Sequence, residues 1–210
     1  MKLLKRIYTK LAVLFFGGMI LSVSAYSNDP RIEEELKAPP PEIPLKYALG
    51  EEAYNKAMTS GKYYYKGNTK CRLCHRQFFI GRKKDKHDFA MKTLIETGYQ
   101  DNPRCLVCHT TGYGVPNGFI STKETPRLAN VQCEGCHGPG SLHIKIARKT
   151  KKGGGFLAGP ENPAVLKKMC EACHTERWNR SYKKENFHEA YKKYRDPNPN
   201  KKKKDKNSRQ

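Results

Sequence analysis

Cys71-Arg72-Leu73-Cys74-His75 is the first of four similar stretches; the others are Cys105-Leu106-Val107-Cys108-His109, Cys133-Glu134-Gly135-Cys136-His137 and Cys170-Glu171-Ala172-Cys173-His174. Each sets two thiols about one helical turn apart with an imidazole directly behind the second. Two such thiols can add to the vinyl groups of a haem while the histidine reaches its iron. The chain therefore reads as one that carries four covalently bound haem c groups. Cys71, Cys74, Cys105, Cys108, Cys133, Cys136, Cys170 and Cys173 are the expected attachment residues, and His75, His109, His137 and His174 the expected proximal iron ligands. These motifs use all eight cysteines, so the disulfides that exported chains commonly carry are not expected. Zinc is the competing reading, since paired Cys-x-x-Cys units also make four-thiolate sites, but such sites do not require a histidine behind every pair.

Of seven histidines in the chain, the four proximal ones leave His87, His143 and His188. An isolated histidine is more often a surface or hydrogen-bonded side chain. These three lie between or just after attachment motifs, in segments predicted to be ordered, and are read as distal iron ligands. Four haems with two histidines each would need one more. One haem therefore has an open position or a sixth ligand that is not a histidine of this chain, with Met58 and Met91 the candidates because Met169 abuts an attachment site.

Outward from the motifs, Lys2, Lys5, Arg6 and Lys10 precede the apolar run 11–21 and the small residues Val23-Ser24-Ala25, the pattern of a secretory signal peptide over residues 1–25. An uncleaved anchor is the alternative, although the run is shorter than the roughly 20 residues that span a bilayer. Residues 26–70 read as a proline-rich leader with a short helix at 51–58, and Pro30, Pro39, Pro40, Pro41 and Pro44 argue for extended chain. Residues 71–190 form the expected haem domain, with helices at 83–97, capped by Gly98, from Pro163 into the fourth motif, and at 181–194. The loop 111–118 and the Gly138-Pro139-Gly140 turn break the pattern. Residues 191–210 read as a disordered basic tail.

Only 37% of the residues are hydrophobic, so large planar cofactors must fill much of the interior. The expected fold class is mainly α with extensive loops, a small multihaem cytochrome wrapped around its four haems. The formal net charge of +21, about +17 without the signal peptide, points to acidic redox proteins or an anionic membrane surface as partners. Export, with no zinc finger or helix-turn-helix pattern, argues against nucleic acid.

The stretch from Cys71 to His143, with Lys86-His87, Cys105 to Gly114 and Val131 to His143 including Cys136-His137-Gly138-Pro139-Gly140, resembles the tetrahaem cytochrome c-554 family, and the likeness extends loosely through Cys170 to His188. The resemblance implies a mainly helical fold around haems in closely stacked pairs. It also implies three bis-histidine haems and one five-coordinate haem, that of the second motif. The expected function is a periplasmic or extracellular electron carrier without catalytic residues. Two alternatives stay open: a redox enzyme acting on a nitrogen oxide, hydroxylamine or peroxide at the five-coordinate haem, and a subunit of a homo-oligomer or conducting filament.

Overall fold

The computed structural model describes residues 34, 36–81, 85–175 and 178. The expected signal peptide, the 181–194 helix with His188, and the basic tail lie outside them. The chain divides into two compact units, 1–39 and 40–210, and the description below concerns the second. Among the described residues the structure is mainly helical, and its only β pairing is an isolated bridge between Thr110 and Ala129.

Helix α1 (Pro44–Leu49) stands where the sequence suggested extended chain. Pro44 occupies the first turn, where a missing N–H breaks no helical bond, and Leu45 and Ala48, three residues apart, turn into the core. Gly50 ends it at φ 80°, and α2 (Glu51–Thr59) follows with Glu51 and Glu52 in its first turn, favourably placed for the helix dipole. Helix α3 (Asn68–Cys71) and α4 (Arg76–Gly81) flank the first motif.

The predicted 83–97 helix is shorter than expected. A 3-10 turn (Lys86–Phe89), capped by Asp85 accepting from the His87 N–H, leads into α5 (Ala90–Thr97). Gly98 closes α5 in the left-handed conformation, as its position suggested. The second motif lies on α6 (Pro103–His109) and the third forms α7 (Cys133–His137). Helix α8 (Ser141–Thr150) carries His143, and α9 (Pro163–Glu171), opened by a proline as expected, enters the fourth motif.

Helix α9 packs on α1 and reaches α7, α5 packs on α6, and α3 on α7. Leu45, Ala48, Leu166 and Met169 meet in one apolar cluster with Met91, Leu94, Leu106 and Leu128. The loop after the second motif closes against this cluster through Tyr65. A Cβ on Gly112 would sit 2.5 Å from the Tyr65 ring, and Gly112 also holds φ 76°, so only glycine fits there.

Candidate haem-binding site

A single helical turn shapes each motif. His75 N–H donates to Cys71 O at 2.9 Å and His174 N–H to Cys170 O at 2.8 Å, while the second and third motifs are helical in α6 and α7. Positions one, four and five of a helical turn share a face, so each motif presents two thiols and an imidazole to one side. None of the eight cysteines forms a disulfide.

The thiols instead approach one another across motifs. Cys71 is hydrogen-bonded to Cys133, and that bond together with burial drives its thiol pKa well up. Cys108 is hydrogen-bonded to Cys173, which lowers the first thiol and raises the second. Burial, with Cys136 and Glu171 adding to it, pushes Cys170 up to about 12. The first motif thus meets the third, and the fourth meets both the second and the third. Among the described residues no group of three or more His, Cys, Asp or Glu side chains gathers as a bound metal ion would require.

Backbone carbonyls hold three of the imidazoles. His109 Nδ1 lies 2.8 Å from Ala90 O, His137 Nδ1 2.9 Å from Ala158 O, and His143 Nδ1 2.8 Å from Gly154 O. A carbonyl can only accept, so each Nδ1 bears the proton and each Nε2 is left as the lone-pair donor that an iron needs. His87 differs: its Nδ1 lies 3.1 Å from a carboxylate oxygen of Asp85.

Two proximal candidates sit beside distal candidates. The rings of His75 and His143 are 6.1 Å apart, and those of His87 and His174 are 5.7 Å apart. Fe–N bonds of about 2.0 Å, with roughly 1.1 Å from each nitrogen to its ring centre, space two axial imidazoles about 6.2 Å apart. Both separations lie close to that spacing, with the first pair of rings inclined at 27° and the second at 83°. Burial lowers the His174 pKa, and the neighbouring His87 lowers it further, which favours the neutral ligand form. His143 also stacks on Phe156 at 4.2 Å, and His137 lies 5.1 Å from the same ring.

Met91 is buried in the apolar cluster, Met58 packs against it, and the bond to Ala90 puts the adjoining backbone on the Nδ1 side of His109, away from its iron-facing nitrogen.

Sequence reasoning passed over two further residues. Glu134, at 1% exposure, accepts from the backbone N–H groups of Lys66 (2.9 Å), Gly67 (2.7 Å) and Gly140 (2.6 Å). Burial raises its pKa while those donors oppose the rise. Gln132 accepts from Asn68 N–H at 2.9 Å and donates to the Arg127 and Ala129 carbonyls. Together they fasten the chain leading into the first motif onto the third. The signal for Glu134 was an acidic residue between two cysteines of a motif that runs straight into Gly138-Pro139-Gly140.

Residues 70–138 match the protein family described as cytochrome c554 and c-prime. Cytochrome c-554 of Nitrosomonas europaea is 30% identical over 91 residues, which cover 36% of this chain and 39% of that protein. The chain thus spans about two fifths of the length of this curated relative. No solved structure matches the chain. The span 70–138 holds the first three motifs together with Glu134 and Gln132, while their partners Lys66, Gly67, Asn68 and Gly140 lie just outside it. Over residues 70–138, then, this chain is similar to the c-type cytochromes of the cytochrome c554 family.

Proposed function

We propose that the chain is an exported tetrahaem electron carrier, working in the periplasm or outside the cell between redox protein partners. The observation that carries this reading is the spacing of His75 with His143 and of His87 with His174. Bound haem supplies one-electron chemistry at its iron. The chain's own residues fix the ligands: two histidines in either oxidation state leave little to rearrange, and the carbonyl bonds at Nδ1 hold the rings in place.

His75 and His143 serve the first motif, His174 and His87 the fourth, and His137 with His188 the third. His109 serves the second motif alone. Among the described residues no second imidazole ring faces His109, which favours an open position there and keeps small-molecule redox chemistry as the second reading.

Intact-mass measurement on the denatured holoprotein is expected to show four haems per chain. The reduced protein should bind carbon monoxide at one haem per chain, with one high-spin ferric signal beside three low-spin ones, and replacing His109 should abolish that site alone. A chain without haem would reject the reading. Four low-spin haems with no carbon monoxide uptake would reject the open site and leave electron transport. Turnover of nitrite, hydroxylamine or peroxide would favour the enzyme.

A further inference from the structure

The first motif differs from the rest in where its outer side faces. Leu73 is 70% exposed and Ile80 47%. With Arg72, Arg76 and Phe79 they line an open groove of about 530 Å³. This groove is not the seat of the first haem, because none of Cys71, Cys74, His75 and His143 lines it. The turn that sets the two thiols and His75 on one side sets Arg72 and Leu73 on the other, and Arg76 and Ile80 continue that side four residues apart along α4. Cys74 is the one exposed attachment cysteine of the eight. Cys74 therefore comes to the surface next to the groove.

The charges say what would cover it. The Arg72 guanidinium lies 5.9 Å from the centre of the Phe79 ring, a cation–π contact that holds it over the groove. Neither Arg72 nor Arg76 has a carboxylate partner among the described residues. An apolar floor with unpaired guanidinium groups at its rim complements a surface with an apolar centre ringed by carboxylates.

We propose that this groove is the docking face for an acidic redox protein, which exchanges electrons with the chain at the first motif. The proposal rests on the carrier reading. In that exchange one electron would pass from the partner's centre to a ferric haem iron held by His75, with no bond formed or broken; with an oxidising partner the electron would run the other way.

The test uses holoproteins with full haem content by intact mass. Stopped-flow reduction by fully reduced flavodoxin, an acidic protein, is compared with reduction by dithionite. Arg72→Glu with Arg76→Glu should slow the flavodoxin reaction at low salt by about tenfold or more, within the range that steering supplies. Lys149→Glu with Lys152→Glu, an equal charge change at exposed lysines outside the groove, should slow it far less. The difference should shrink as salt shortens the screening length to about 10 Å at 0.1 M. Leu73→Ser with Ile80→Ser should slow the reaction at every salt concentration, and dithionite should reduce all variants alike. If the glutamate variant fails to load haem, Arg72→Gln with Arg76→Gln replaces it, with a smaller loss in the same direction.

Equal slowing by the groove and control pairs would overturn the docking face and leave the carrier standing. A wild-type holoprotein that dithionite reduces but flavodoxin does not, at any ionic strength, would overturn the carrier reading and the face with it. A wild-type dimer by light scattering that Leu73→Ser with Ile80→Ser dissociates would assign the groove to a second copy of the chain and overturn the acidic partner.

Discussion

The first and fourth motifs share one five-residue plan and occupy different settings. Around the first, Cys71 is half-buried with its thiol raised by the bond to Cys133 and by burial, but Cys74 and His75 are exposed and Leu73 projects into solvent. Around the fourth, burial pushes the Cys170 thiol up to about 12, the bond to Cys108 and burial together raise Cys173, and burial lowers His174. The spacing of cysteines and histidine governs what can be attached. The surroundings govern what can reach it, and how well a proton competes for its ligand.

Removing the attachment cysteines separates the two settings most sharply. Cys170→Ala with Cys173→Ala takes the filling out of the region where α9 meets α1 and α7, so the chain should not accumulate as folded holoprotein. Cys71→Ala with Cys74→Ala should leave a folded protein one haem short. Intact mass and a thermal melt read both, and equal damage from the two pairs would remove the contrast.

Glu134→Gln should cost about 2–3 kcal/mol, measured as a lowered melting midpoint of the holoprotein. The carboxylate accepts from three backbone donors, and an amide turns one acceptor oxygen into a donor facing them. A loss below about 0.5 kcal/mol would mean that the first motif does not depend on this anchor.

Acid should open the two ligand pairs in order. Burial disfavours the protonated form of His174, so a proton competes for it less well, and the His87 and His174 ligation should survive to lower pH than that of the exposed His75 with His143. The sign is that of a depressed histidine pKa: stability is present above the ordinary value near 6.5 and is lost as pH falls through the lowered one. Low-spin absorption followed during acidification, with His143→Ala to identify the first step, checks the order.

The smallest effect concerns Asp85. Its carboxylate lies 3.1 Å from His87 Nδ1, where the Nδ1 atoms of His109, His137 and His143 face carbonyls, and a carboxylate neighbour makes His87 the more electron-rich ligand. Asp85→Asn should raise the reduction potential of the haem that His87 serves. Stability should change by less than about 1 kcal/mol. Spectroelectrochemical titration in which no component moves would deny Asp85 that role.

Local signals in the sequence reached the turn of each Cys-x-x-Cys-His stretch, the helix at 51, the Gly98 cap and the proline that opens α9, because each depends on residues within about a turn of one another. Helix α1 escaped because Pro44 reads as a breaker until it is recognised as a first-turn residue. What makes that segment helical is the fit of Leu45 and Ala48 against Leu166 and Met169, more than a hundred residues away. Glu134, Gln132 and Asp85 escaped for a related reason. Their partners are backbone groups or a ring that become neighbours only on folding, and periodicity carries no trace of them.

The Glu134 anchor has a consequence for the order in which the chain matures. In a chain exported as proposed, the first motif would leave the membrane before the third. The N–H groups of Lys66, Gly67 and Asn68 have to wait for Gln132 and Glu134, more than sixty residues behind them, to find their partners. Closing so long a loop is entropically slow. Until it closes, the first motif remains an accessible, unanchored segment, a form suited to an attachment machinery that must handle each thiol pair before the fold hides it. The finished protein would then settle in one late, cooperative step.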